Sequence, residues 1–479
     1  MTSLTPTPTL LTPHLPPKTL VGIDLITFTS TPNFHGIRDI PSGWHFVYTG
    51  TTAGLSLRLG GWFYIDRNGN STETEIGKDI LVWRWNDNTE ALEPLRSHQT
   101  GEGLRYRANI GSAWGSGGLW RYRSRVPSAE TTADAGALQK SGGDAGAGRG
   151  GNGGLDEEEE EEEEKEGRRE WTALTNRLSP QLLSRITGEP TIDWEGRARW
   201  LVTSGSTARQ DDDDIPGIDT NLHSNSVDDG VSGAEGQGRL EDYAERQFSF
   251  LPVDLRRTWR EGAIGRERTE AARDRSWALG EIIHSVSSSS SPHFGIAAAD
   301  SDDKDVNSSG EAQILGELQF TFLMGLTLMN YSCLQQWKRL LRLILTCRSA
   351  ITARAPFMAE VLRLLLTQLK RADDVEGGLF DQLGNEGGAE GAEFLRRLLK
   401  GFRTAMYEVL EDGGESPVKR EFGKLEEWVR RELDWELDRD AVLRKGMVQL
   451  EDGEEVELEV VDHEEEEYEP VVVELGGTY

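Results

Sequence analysis

Between residues 20 and 123 the apolar positions come in short runs rich in β-branched and aromatic side chains, each closed by turn residues. This patterning predicts strands at 21–28, 44–48, 61–65, 80–85, 104–107 and 119–122. Pro41-Ser42-Gly43, Asn68-Gly69-Asn70 and Asn86-Asp87-Asn88 supply turns between them. Short strands at this spacing make an antiparallel β-sandwich or a partly open barrel. From Ile314 to Val442 the period changes to helical. Helices are expected at 313–329 and 333–348, the second capped by Ser332. A third opens at Pro356, with Val361, Leu362, Leu365, Leu366 and Leu369 on one stripe. Two more cover 394–410 and the stretch after Ser416-Pro417, where Phe422, Leu425, Val429, Leu433 and Leu437 repeat. Antiparallel helices with short connections form a bundle. The fold class is α+β and multidomain: an N-terminal β domain, a C-terminal α-helical domain, and disordered acidic linkers.

The intervening stretches lack such patterns. Residues 1–19 are a Pro/Thr tail expected to be disordered, and the β domain occupies 20–123. A Gly-rich insert at 124–170 contains an unbroken glutamate run at 157–164, with too little apolar surface to offset the entropy of ordering. Segment 171–200 is short and partly helical, with Leu174, Leu178, Leu182, Leu183 and Ile186 at helix-like spacing, and 201–236 is a polar linker. A helical segment at 237–284 leads into the C-terminal domain, and a Ser/Asp linker covers 285–310. The helical domain spans 311–445 and an acidic tail 446–479. That tail holds two β-prone runs, 456–461 and Val471, Val472, Val473, Glu474 and Leu475, neither with a local neighbour to pair with. An unpaired extended run can add a strand to a partner's sheet edge, pack on its own β domain, or fray.

Charge narrows the choice of partners. The formal net charge is -31 over 479 residues, and no basic patch stands out. Direct binding to nucleic acid needs a Lys/Arg surface, so proteins are the expected contacts. On a single helix Cys333 and Cys347 would stand roughly 21 Å apart, too far for a disulfide, and free buried thiols are expected. The N-terminus lacks the features of a signal peptide. The most apolar stretch, 320–329, is about half of the roughly 20 residues a membrane-spanning helix needs. A soluble intracellular protein without membrane contact follows.

Catalytic signatures are missing. No G-x-S-x-G, H-E-x-x-H, Walker or C-x-x-C motif occurs. The G-x-G-x-x-G at 146–151 has no strand before it and no helix after it. The aspartates at 211–214 lack the glycine and glutamate of an EF-hand loop and read as a solvated charge run. His45 reads as a hydrogen-bonded structural residue. No catalytic residue, metal ligand or cofactor is assigned, and no enzyme is expected. Ser285 and the serines at 287–291 are exposed candidates for phosphorylation.

Three groups of residues carry a family likeness. Gly22-Ile23-Asp24 is followed by Phe34-x-Gly36-Ile37, Ile40-Pro41-x-Gly43-x-His45-Phe46, Gly61-Trp62-Phe63 and Trp83-Arg84-Trp85. Gly316-Glu317-Leu318-Gln319-Phe320-x-Phe322 then leads to Trp337-Lys338-Arg339-Leu340-Leu341. Pro470-Val471-Val472-Val473-Glu474-Leu475 closes the chain. In order and spacing these resemble the A-one cistron-splicing factor family, with long low-complexity inserts at 124–236 and 285–310. The resemblance implies a non-enzymatic assembly chaperone of the U5 small nuclear ribonucleoprotein (snRNP), and through it of the tri-snRNP. It implies binding to the RNase H-like and Jab1/MPN-like domains of the largest U5 protein, with the tail strand pairing between them. It also implies that premature helicase and RNA binding is blocked, by a monomer found in cytoplasm and nucleus. The alternative is a scaffold outside splicing, built from a β-sandwich module and a helical adaptor.

Overall fold

The structure is a computed structural model and describes residues 7–50, 57–66, 80–124, 153–208, 211, 247–289, 303–375, 379–380, 389–410, 416–438, 445–449 and 455–459. Strands β5 (Gly43–Gly50) and β6 (Arg58–Ile65) form its longest ladder, from Gly43↔Ile65 to Gly50↔Arg58. β2 (Leu20–Ile23) and β3 (Ile26–Thr29) extend this pair on one side. β11 (Ala198–Thr203) and β10 (Thr191–Ile192) extend it on the other. The result is an antiparallel six-stranded sheet, β10-β11-β6-β5-β2-β3. A second sheet contains β1 (Thr9–Leu11), β4 (Gly36–Arg38), β7 (Ile80–Asn86), β8 (Ala91–Pro94) and β9 (Leu119–Arg121), in the order β8-β7-β1-β4-β9. It is mixed, because β1 pairs with β7 and β4 with β9 in parallel.

Strand β7 shows why these sequences bury on two faces. Leu81, Trp83 and Trp85 enter the core between the sheets with Val47, Phe63 and Leu201. Ile80 and Val82 join Leu119 and Trp194 in a separate cluster. A strand covered on both sides reads as a continuous apolar run rather than an alternating one. Helices α1 (Thr100–Ala108) and α2 (Ile110–Gly115) pack on this second cluster through Tyr106, Ile110, Ala113 and Trp114. The strand expected at 104–107 is therefore helical. Four alternating residues are too short a window to separate the two periods, whereas Tyr106, Ile110, Ala113 and Trp114 repeat at helical spacing.

The remaining elements are mostly helices: α3 (Gly153–Thr175), α4 (Pro180–Thr187), α5 (Arg266–Arg273), α6 (Ser276–Ser289), α7 (Asp303–Leu328), α8 (Tyr331–Leu345), α9 (Ala350–Ala353), α10 (Ala355–Lys370), α11 (Ala389–Val409) and α12 (Pro417–Glu432). Every residue of α7 from Ile314 to Leu328 is buried, and α3, α4, α6, α8 and α10 pack against this helix. Phe46 and Trp62 of the six-stranded sheet meet Trp171 of α3 and Phe320 of α7 in an aromatic layer. The sandwich and most of the helices belong to one compact unit, Met1–Leu425. The second unit, Glu426–Tyr479, holds the last turns of α12 and a hairpin of β12 (Lys445–Gln449) and β13 (Glu455–Glu459).

Several expectations need correction. Residues read as a disordered N-terminal tail include β1, whose Leu10 is fully buried between β4 and β7. The strand expected at 21–28 is two strands, split at Asp24, whose φ of 55° reverses the chain. The glutamate run at 157–164 lies within α3, because glutamate is a good helix former and Trp171 anchors the later turns. The expected linker at 201–236 begins with the end of β11, and Asp211 is buried rather than solvated. Asn330, not Ser332, caps α8 by accepting from Cys333 N. The linker expected at 285–310 is helical at both ends, and Ser287 is buried with its hydroxyl donating to the Ile283 carbonyl, so it is not an exposed phosphorylation candidate. The run at 456–461 does have a local partner, since Val456 pairs with Val448. The turn at 68–70, the G-x-G-x-x-G at 146–151 and Asp212 to Asp214 lie outside the described residues.

Candidate functional site

Asp24 and Glu317 each centre a buried polar cluster. Asp24 occupies the β2–β3 turn and is 2% exposed. Its Oδ1 accepts from Phe46 N at 2.9 Å, and its Oδ2 accepts from Tyr122 O–H at 2.6 Å. His45 Nδ1 lies 2.9 Å from the same Oδ2, while Nε2 faces the Pro41 carbonyl at 2.9 Å. Tyr122 follows β9 of the mixed sheet, whereas Asp24 and His45 belong to the antiparallel one, so the cluster staples the two sheets. Burial, reinforced by the charge and hydrogen bond of Asp24, pushes the Tyr122 hydroxyl well above its ordinary range. An Asp–His pair can serve acid–base chemistry, but this one is sealed, with His45 1% exposed and both ring nitrogens engaged. His45 is thus held by hydrogen bonds at both ring nitrogens.

Glycines allow close approach around this staple. A Cβ on Gly22 would lie 2.1 Å from the Tyr48 ring across the β2–β5 pair, and one on Gly36 would lie 2.1 Å from the Leu10 carbonyl oxygen. Gly43 opens β5.

The second cluster lies on α7. Gly316 faces the α3–α4 turn so closely that a Cβ would sit 2.6 Å from the Arg177 carbonyl oxygen. Glu317 is fully buried. Its Oε1 accepts from Leu251 N and Gln336 Nε2, each at 2.9 Å, and its Oε2 meets Arg185 at 2.7 Å as an ion pair. Gln319 faces another segment: Oε1 accepts from Arg177 N at 2.9 Å, and Nε2 donates to the Ala173 carbonyl and Asn176 Oδ1. Phe320 sits between Trp62 and Phe248. Trp337 donates its indole N–H to Gln368 Oε1 at 3.1 Å. Arg339 forms an ion pair with Asp211. These contacts fix the positions of α4, α8 and the 247–251 segment on one helix.

Sequence reasoning missed the partners of these residues. Gln336 and Arg185 complete the Glu317 cluster. Arg58 donates to the Thr327 carbonyl at 2.7 Å, and Asn330 Nδ2 donates to the carbonyls of Thr203 and Ser206. Arg371 donates to the Ser124 carbonyl at 2.9 Å and pairs with Glu170. The one available signal was a polar residue inside an apolar stripe, as Gln336 is beside Trp337. The tail residues Val471, Val472, Val473, Glu474 and Leu475 lie outside the described residues.

Among the described residues no group of three or more His, Cys, Asp or Glu could hold a metal ion. No described helix is long and apolar enough to cross a membrane. Cys333 and Cys347 are free and buried, and burial raises both thiols above their ordinary range. A polar cleft beside β7 and β8 is lined by Arg84, Asn86, Arg96 and His98, with Glu93 as its single carboxylate.

Two family models match the chain. The AAR2 N-terminal domain matches residues 6–188, and the AAR2 C-terminal repeat region matches residues 250–438. Together they cover well over half of the sequence and include both carboxylate clusters. Strand β11, which pairs with β6 in the six-stranded sheet, falls between the matches.

Proposed function

The chain belongs to the AAR2 family, and from that premise we propose that it is a non-catalytic pre-mRNA splicing factor assisting assembly of the U5 snRNP. The observation that carries this reading is the presence of both family domains, in order, on one chain. The buried motif residues support it: they hold segments together and leave the work to exposed surfaces, as suits a protein that acts by occupying a partner. In this reading the partner is the largest U5 protein, at its RNase H-like and Jab1/MPN-like domains. The tail residues Val471 to Leu475 add a strand between those domains, and the bound factor keeps helicase and RNA away until later maturation. It acts as a monomer that joins a cytoplasmic precursor and leaves in the nucleus.

Charge supports the same reading. A surface built to hold RNA is basic, and a chain of net charge -31 is attracted to it and can mask it. The test is a titration of the full chain against the purified C-terminal region of the largest U5 protein at low and high salt. Tight binding that weakens clearly with salt is expected. No binding would remove the proposed partner, and salt-independent binding would remove the electrostatic part. Deleting residues 468–479 should weaken binding while leaving the melting temperature nearly unchanged; the reverse pattern would make the tail a structural element.

A further inference from the structure

Ile264 is 73% exposed, compared with 54% for Leu57 and 51% for Leu104, the next most exposed large apolar side chains among the described residues. A single exposed apolar side chain is ordinary on a protein surface. What distinguishes this one is how firmly it is displayed. Gly262 (φ +85°) and Gly265 (φ +47°) flank it, and its neighbour Ala263 is buried. Ala263 N donates to the Arg260 carbonyl at 3.1 Å, and Arg268 Nε donates to the Ala263 carbonyl at 2.6 Å. The Arg268 guanidinium lies over the Trp259 ring at 5.5 Å, and that of Arg260 lies over Trp277 at 5.9 Å. Buried Thr258 donates to the Ala271 carbonyl and ties the start of the loop to α5. The turn is braced from both sides, and its tip points an isoleucine at solvent.

The charge around the tip runs against the rest of the chain. Between residues 254 and 275 lie Arg256, Arg257, Arg260, Arg266, Arg268, Arg273 and Arg275, opposed by Asp254, Glu261, Glu267, Glu270 and Asp274, a net excess of two positive charges in a chain whose net charge is -31. Arg257 and Glu261 approach at 4.0 Å, and Arg266 pairs with Glu270 at 2.7 Å. The excess is positive and carried entirely by arginine, whose planar fork suits carboxylates.

We propose that turn 262–265 is a docking knob: Ile264 enters an apolar socket on a protein partner, and the surrounding arginines pair with Asp and Glu side chains on the socket's rim. The rest of the chain carries the opposite charge, so this contact is distinct from any basic surface the protein masks and independent of the partner named above. Single-stranded nucleic acid is a poorer match, because its bases stack on open aromatic faces and Trp259 and Trp277 are already covered by guanidinium groups. A lipid surface is also poorer, since one isoleucine offers little apolar area for insertion.

The test places a photo-crosslinking amino acid at position 264 of the full chain in cells, with the same group at exposed position 104 as control. Adducts are identified by mass spectrometry. Position 264 should give protein adducts whose linked peptides carry apolar residues flanked by Asp or Glu. In the background R257E/R266E, which leaves the Arg260 and Arg268 braces in place, their yield should fall about tenfold, with the melting temperature nearly unchanged because both side chains are exposed. Four results would overturn the proposal: adducts to nucleic acid or lipid alone, no excess over position 104, linked peptides poor in acidic residues, or an unchanged yield in the double variant.

Discussion

Asp24 and Glu317 are both buried carboxylates, but they gather their partners over different lengths of chain. Asp24 is satisfied by His45, Phe46 and Tyr122, all within the N-terminal strands and their connections. Glu317 draws on Arg185 of α4, Leu251 beyond the long insertion and Gln336 of α8. The first cluster is complete once the two sheets face each other. The second requires segments on either side of residues 209–246 to meet on α7. Motif residues here mark joints between segments, and the Glu317 joint carries more of the molecule than the Asp24 joint does.

Substitutions can break that comparison. The largest effect is expected for Glu317→Ala, which leaves a buried N–H, an amide and a guanidinium without their acceptor. A loss of about 4 kcal/mol is expected from urea unfolding, with α8 and residues 247–251 losing amide protection first. A loss below about 1 kcal/mol would mean that water replaces the carboxylate and the joint is dispensable. Asp24→Ala should cost about 3 kcal/mol, with protection lost in β2 and β5 while α8 is spared. Equal losses in both regions would show a single joint instead of two. Arg339→Ala strands the buried Asp211 carboxylate, but Arg339 is partly exposed, so about 1–2 kcal/mol is expected from thermal unfolding.

A smaller effect should follow pH. Burial pushes the Asp274 carboxyl up, but hydrogen bonds from Ser276 and Ser349 outweigh it and hold it below the usual carboxylate range. A carboxylate with a lowered folded-state pKa stabilises above its ordinary value of 3.8, and that contribution is lost as pH falls through the lowered value. Asp274→Asn should therefore cost about 1 kcal/mol at pH 6 to 7 and progressively less below pH 4, read from unfolding at a series of pH values. A cost that is constant with pH would remove the role of charge. The smallest effect is expected from excising 212–246. Ala208 and Phe248 bridge across that insertion, and Phe248 N donates to the Thr207 carbonyl at 2.8 Å. Stability should shift by less than about 1 kcal/mol, because loop-closure entropy grows slowly with length.

The sequence was most informative where one period ran long. The helical stripes of α8, α10, α11 and α12 were legible, because each buries a face that repeats at three and four, and α7 was legible as a long apolar run buried all round. The sandwich was legible in kind, from β5, β6 and β7. What stayed hidden depends on partners distant in sequence. β1 is buried because β4 and β7 flank it, and α3 orders a glutamate run because Trp171 and Arg371 hold its far end. Of the two clusters, Asp24, His45 and Glu317 were visible as motif residues. Tyr122, Arg185 and Gln336 were not, since nothing local separates a bridging polar side chain from a solvated one. Asp211 shows the cost of reading locally: its acidic neighbours suggested solvent, and its distant partner is Arg339.

The proposed function requires this molecule to occupy the surface of a splicing protein. Quantitative mass spectrometry of proteins that co-purify with the tagged full chain tests it most directly. U5 proteins, led by the largest, should be enriched at near-stoichiometric levels and depleted when residues 468–479 are deleted. Recovery of an unrelated complex with no U5 component would contradict the claim.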